Sequence, residues 1–77
     1  DDLKVFPNPA TSQIEVQVGN QSGNSRIQVY SASGTLMYNN TISGNATVIQ
    51  VAKWSMGVYL VVVETNGIVQ RTKFIKK

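Results

Sequence analysis

Residues 57–75 read GVYLVVVETNGIVQRTKFI and begin with the longest apolar run of the chain, Val58–Val63. This run is far shorter than the roughly 20 residues that a transmembrane helix needs, and its length suits a buried strand. Thr65-Asn66-Gly67 follows it and predicts a tight hairpin, because Asn and Gly tolerate the positive φ angles of such turns. The segment therefore predicts two antiparallel strands, Val58–Glu64 and Ile68–Ile75.

Period-two alternation of apolar and polar residues continues through most of the rest of the chain. It predicts five further strands at Leu3–Phe6, Gln13–Val18, Arg26–Tyr30, Thr35–Thr41 and Ala46–Val51. Turn-forming residues separate them, including a polar loop at residues 19–24. Seven short strands without a helical pattern favour an all-β fold, an immunoglobulin-like antiparallel β-sandwich. A small closed barrel is the alternative.

The connection around Trp54 and Gly57 resembles the tyrosine corner of immunoglobulin-like sandwiches, with Tyr59 as the tyrosine. If Tyr59 bonds back to nearby backbone, it faces the core together with Val61 and Val63. Three other apolar side chains of the same strand then form an apolar strip on the opposite face. These residues are Val58, Leu60 and Val62. The strip is either an exposed contact surface or a face covered by neighbouring side chains and loops.

The last strand combines an apolar anchor with basic residues. The same alternation places Phe74 in the core, on the face of Ile68, Gln70 and Thr72. Arg71 and Lys73 fall on the other face and predict a basic ridge that continues into Lys76 and Lys77; four of the seven basic residues lie in the last seven positions. These charges either protect an edge strand against aggregation or bind an acidic or anionic surface.

Composition excludes several function classes. The 77 residues suit one domain, and the absence of Cys and His removes disulfides, thiolate metal sites and the commonest general base. No pair of the four carboxylates is placed for acid–base catalysis; they are Asp1, Asp2, Glu15 and Glu64. We therefore expect no enzyme activity, metal or cofactor. The aromatic residues sit at core-like positions rather than within a basic stripe, so we expect no nucleic-acid binding, and no transmembrane segment is present.

Several short motifs occur in an order that matches a known family. They are Val5–Thr11 (VFPNPAT) with Ile14–Val16, Val29–Leu36 (VYSASGTL), Trp54–Val61 (WSMGVYLV), and Gly67 with Lys73–Lys77 (KFIKK). Together they span most of the chain. The chain resembles the C-terminal sorting domain of type IX secretion (type A, or Por family) found on exported proteins of the Bacteroidota.

The resemblance implies a non-catalytic secretion signal with a seven-stranded immunoglobulin-like fold. Residues 1–77 would then be a single sorting domain excised from a longer cargo protein. The cargo would pass through the periplasm of a Gram-negative cell and cross the outer membrane with the translocon and its shuttle components. A cell-surface sortase usually removes such a domain, leaving the cargo on the surface or extracellular.

The resemblance also nominates site residues. It assigns recognition to the last strand and its basic end: Gly67, Lys73, Phe74, Ile75, Lys76 and Lys77. A second set of motif positions is expected to set turns and the corner: Pro7, Asn8, Pro9, Gly34, Gly57 and Tyr59. The alternative function is an accessory carbohydrate-binding or adhesion sandwich, since this fold hosts many functions. A homodimer through edge strands is a further expectation.

Overall fold

Seven antiparallel strands account for the regular structure in the computed structural model, which describes residues 3–19 and 23–77. The strands are β1 (Lys4–Phe6), β2 (Gln13–Gln17), β3 (Ser25–Ser31), β4 (Leu36–Ile42), β5 (Ala46–Gln50), β6 (Gly57–Thr65) and β7 (Ile68–Lys76). Each bound lies within one residue of its prediction, because alternation and turn residues both act locally. The predicted loop at residues 19–24 lies partly outside the described residues, as do Asp1 and Asp2.

The strands form two sheets, which confirms a sandwich rather than a closed barrel. One sheet has the order β1-β2-β5, and the other has the order β4-β3-β6-β7. The pairs β1–β2, β3–β4 and β6–β7 join consecutive strands of one sheet, whereas the connections β2–β3, β4–β5 and β5–β6 cross between the sheets. An isolated parallel bridge between Ala10 and Lys76 joins the chain after β1 to the end of β7. The fold is thus an immunoglobulin-like all-β sandwich, as predicted.

The core lies between the two sheets and uses alternate residues of the strands. Its buried apolar members are Ala10, Ile14, Val16, Val18, Ile27, Val29, Ile49, Val51, Tyr59, Val61, Val63 and Phe74. Burial of one large apolar side chain contributes about 1.5–3 kcal/mol relative to its exposure to water. The buried residues of β2, β3 and β6 confirm the inward faces predicted for these strands.

The β6–β7 hairpin has the two-residue turn that the sequence predicts. Asn66 has a φ of 52° and Gly67 a φ of 82°, the left-handed conformation that this class of turn requires at both positions. The turn sets the register of the two strands. Tyr59 consequently lies opposite Phe74, and Leu60 lies opposite Lys73.

A tyrosine corner opens β6, as predicted. The Tyr59 hydroxyl donates a 2.6 Å hydrogen bond to the main-chain oxygen of Ser55. Its ring stacks on Phe74 with centroids 5.4 Å apart, and Trp54 lies 5.1 Å from it on another side. Gly57 starts the strand with a φ of 146°, which L side chains rarely adopt. The corner therefore fixes where the chain enters β6 and which of its faces is buried.

Candidate recognition surface

Strand β7 is an edge strand, and alternation divides its predicted recognition residues between two faces. Phe74 is fully buried in the core. Lys73 and Ile75 lie on the opposite face and are exposed to solvent. A partner that meets the folded domain can thus contact Lys73 and Ile75 directly, whereas Phe74 acts on the surface only by holding the strand in place.

The predicted continuation of the basic ridge through Lys76 is wrong. Lys76 is two residues beyond Phe74 and therefore shares the inner face, where it is only 7% exposed. Its Nζ donates a 2.8 Å hydrogen bond to the main-chain oxygen of Lys77. The exposed cations of this end are instead Arg71 and Lys73 on the outer face, with Lys77 beyond the strand.

Gly67 is not near the basic end of β7. It lies in the turn before the strand, and about 30 Å of extended chain separates it from Lys76 at roughly 3.3 Å per residue. Its positive φ explains why glycine suits this position, where a Cβ would meet no atom within 4 Å but would strain the backbone. The six residues nominated by resemblance therefore do not form one contiguous site.

The structure brings the proline-rich motif and the last strand together. The Asn8 side-chain oxygen accepts a 2.9 Å hydrogen bond from the Ile75 backbone N–H, across 67 positions of sequence. Ala10 continues the contact: its N–H donates to the Ile75 oxygen at 2.7 Å, and its own oxygen accepts from the Lys77 N–H at 2.8 Å. We call these three hydrogen bonds the β7 clip. The clip satisfies backbone groups that the end of an edge strand would otherwise present to water.

Sequence reasoning missed the clip. Pro7 and Pro9 mark a break between strands and lack a backbone donor, so they predict where β1 stops. They carry no information on which distant strand Asn8 reaches. The available signal was Asn8 itself, a short polar residue between two prolines. Its side chain can readily hydrogen-bond to main-chain groups, but the sequence does not indicate which strand supplies them.

The apolar strip of β6 is partly exposed. Val58 is 44% exposed, and Leu60 and Val62 are half-buried. A groove on this face is lined by Tyr30, Val58, Leu60 and Lys73, together with residues of the β3–β4 turn. The outer face of the four-stranded sheet is therefore apolar at its centre.

In the β3–β4 turn Gly34 has a φ of 90°, as predicted for a tight turn.

Trp54, the largest aromatic side chain, packs inward. Its ring lies 5.1 Å from Tyr59 and 6.5 Å from Phe74, and all three rings belong to one aromatic cluster at the corner. A sugar-binding module uses its aromatic faces as open platforms, and the best candidate for such a platform is engaged with the core. This geometry does not favour the carbohydrate-binding alternative.

A comparison with known families favours the secretion signal over the carbohydrate-binding module. The sequence profile of the secretion system C-terminal sorting domain family matches residues 4–77. The chain belongs to this family. It is a C-terminal sorting signal of type IX secretion, a class that is generally non-catalytic. The sequence matches none of the curated proteins with which it was compared.

Membership in the sorting-domain family implies a role in protein export. A type IX sorting domain interacts with the type IX secretion machinery and directs export to the cell surface or the extracellular space. Within residues 3–19 and 23–77, no helix is long and apolar enough to span a membrane. In that same part of the chain, no three acidic, His or Cys side chains are grouped so that they could hold a metal ion.

Proposed function

We propose that the sorting domain presents the C-terminal end of β7 to the outer-membrane translocon and its shuttle components. The observation that carries this proposal is the β7 clip. It holds the backbone of Ile75 and Lys77 in a fixed position while the side chains of Lys73 and Ile75 stay exposed. A preordered end costs less conformational entropy on binding than a frayed one, because its residues are already fixed.

The remaining nominated residues act through the fold under this proposal. Phe74 and Lys76 anchor the strand from the inner face, and Gly67 sets its register from the turn. Pro7 and Pro9 position Asn8 for the clip, while Gly34, Gly57 and Tyr59 shape a turn and the corner. The domain itself performs no catalysis.

The fate of the cargo follows the usual course in this family. Residues 1–77 form one domain that ends a longer cargo protein, which crosses the inner membrane with its own N-terminal signal. The domain then takes the cargo across the outer membrane. A cell-surface sortase removes it, and the cargo is attached to a lipopolysaccharide or released.

An export assay tests the proposal. Residues 1–77 are fused behind a fluorescent reporter directed to the periplasm of a type IX-competent bacterium. Removal of residues 73–77 is a poor test, because it also removes the fully buried Phe74 and would unfold the domain. The double variant Lys73→Gln/Lys77→Gln removes two exposed charges and leaves the core intact.

The matched control is Lys4→Gln/Lys53→Gln, which removes two exposed lysines elsewhere and changes net charge equally. We expect surface arrival of the wild-type and control fusions, with periplasmic retention of the Lys73/Lys77 variant. Equal export of both variants would show that the basic end is not what the machinery binds. Retention of the wild-type fusion as a folded domain would overturn the proposed function itself.

A further inference from the structure

The outer face of the four-stranded sheet carries an apolar centre with a basic margin. Strand register places Leu60 between Tyr30 on one side and Lys73 on the other. It places Val62 between Gln28 and Arg71 in the next row. Side chains directly opposite in an antiparallel pair have Cβ atoms about 5 Å apart, so each row is continuous.

The apolar side chains at the centre of this face are more shielded from solvent than those at its end. Leu60, Val62 and Tyr30 are half-buried between their neighbours, while Val58 and Ile75 at one end are 44% and 48% exposed. The usual pattern for a solvent-facing antiparallel sheet is a polar outer face. A contiguous apolar face bordered by charges is instead typical of a protein interface.

The charges on this face are unbalanced. Glu64 lies directly opposite Arg26, in the row nearest the β6–β7 turn. Among the described residues Glu64 is the sole carboxylate that alternation places on this face. Arg71 and Lys73 sit in the two rows farther from the turn, each beside an apolar residue of β6. A partner that covers the apolar rows would therefore bring its own surface against two cations, neither of which has a carboxylate directly opposite it in the sheet.

We propose that this outer face is a second docking surface of the sorting domain, which adjoins the C-terminal end of β7 and shares Lys73 and Ile75 with it. Its occupant is a protein surface of the secretion machinery with an apolar centre and carboxylates facing Arg71 and Lys73. The inference rests on the proposed function, because that function supplies the partner. Charge complementarity selects an acidic partner, since like charges facing each other at an interface disfavour binding and opposite charges raise the association rate.

Two other occupants fit the face less well. A second copy of the chain would add the same two cations and, among described residues, the same single carboxylate. A bilayer is engaged by apolar side chains that enter the headgroup region, whereas the central apolar side chains of this face, Tyr30, Leu60 and Val62, are half-buried between their neighbours. Self-association and membrane binding are therefore outcomes of the test that would contradict the proposal.

The chain offers a matched pair for the export assay. Val58 on β6 and Val48 on β5 are the same residue type and are 44% and 47% exposed, on the outer faces of different sheets. Val58→Glu places a carboxylate on the proposed docking surface, where it would be desolvated and would face the partner's acidic groups. Val48→Glu makes the same chemical change elsewhere. Thermal unfolding of both purified domains shows whether either substitution unfolds the sandwich.

We expect Val58→Glu to reduce surface arrival by at least about tenfold, and Val48→Glu to leave it unchanged. Wild-type export with equal export of both folded variants would overturn this inference and leave the proposed function standing. Periplasmic retention of the wild-type fusion would contradict both this inference and the proposed function. If Val58→Glu unfolds the domain, Arg71→Glu replaces it, because Arg71 is exposed on the outer face and is not part of the test of the proposed function. Lys4→Glu is then the control, with the same expected difference.

A photocrosslinking amino acid at position 30 identifies the occupant in the exporting cell, with position 48 as the control. We expect a crosslink from position 30 to an envelope protein segment that carries carboxylates, and its loss in the Arg71→Glu variant. A crosslink to a second copy of the domain would overturn the proposal. Binding of the purified domain to phosphatidylglycerol vesicles that Val58→Glu abolishes would also overturn it, in favour of a membrane.

Discussion

The two faces of β6 and β7 carry similar apolar residues in different environments. On the inner face Tyr59, Val61 and Phe74 are at most 4% exposed and pack into the core. On the outer face Val58 and Ile75 are nearly half exposed, and Lys73 is open to solvent. Period-two alternation assigns each residue to one face, so neighbours in sequence differ sharply in environment. Apolar character alone therefore does not distinguish a residue that stabilises the core from one that can contact a partner on these strands.

The largest expected difference between the faces comes from Phe74→Ala and Ile75→Ala. Phe74→Ala leaves a cavity beneath Tyr59 and Trp54, and we expect it to lower the free energy of unfolding by about 3–5 kcal/mol. A domain of this size has a total stability of only about 4–12 kcal/mol, so partial unfolding is expected. Ile75→Ala on the outer face should cost less than about 1 kcal/mol. Urea denaturation followed by tryptophan fluorescence measures both, and equal losses would contradict the assigned faces.

A sharper form of the comparison uses one residue type on one strand. Val61→Thr places a hydroxyl in the core and should cost about 1–3 kcal/mol, because the hydroxyl loses its bonds to water. Val58→Thr places the same hydroxyl on the partly exposed outer face, where the change should stay within about 0.5 kcal/mol. Calorimetric unfolding of the two variants is the measurement. If Val58→Thr lowered the free energy of unfolding by more than about 0.5 kcal/mol, the apolar strip would be covered rather than open to solvent.

Tyr59→Phe tests the corner hydrogen bond without changing the ring packing. Loss of the bond to the Ser55 oxygen should cost about 0.5–1.5 kcal/mol. Tyr30→Phe removes a hydroxyl from the outer face and should change stability by less than about 0.5 kcal/mol. Thermal melts of both purified variants check the difference. A neutral Tyr59→Phe would indicate that ring packing alone orients β6.

A loss of stability similar to that of Tyr59→Phe is expected from Asn8→Ala, which opens one bond of the β7 clip. We expect a loss of about 1 kcal/mol and faster hydrogen exchange at the Ile75 amide, whose acceptor is removed. Asn8→Asp keeps an acceptor and should preserve protection. Asn39→Ala, an exposed asparagine on β4, is the control for a general effect. Unchanged exchange at Ile75 in Asn8→Ala would show that Ala10 alone holds the strand.

The fold could be predicted closely because its signals are local. Alternation located every strand, Asn66-Gly67 predicted the hairpin turn, and the spacing around Tyr59 predicted the corner. The candidate site could be predicted only in part. The motifs identified the family. The resemblance nominated Gly67 together with Lys73–Lys77, which lie about 20–33 Å farther along the extended chain, and it nominated the buried Phe74 together with solvent-facing neighbours.

The seven strands and their inner faces were predictable from the sequence alone, because side-chain alternation and turn chemistry depend on residues a few positions apart; the ordered motifs indicated the family. Features that depend on contacts between distant residues were defined only by the folded structure. It buried Lys76, paired Asn8 with Ile75 across 67 positions, and set Lys73 beside Leu60 and Tyr30 on one outer face. These features require two sheets to pack and strands to adopt one register, which no local pattern specifies.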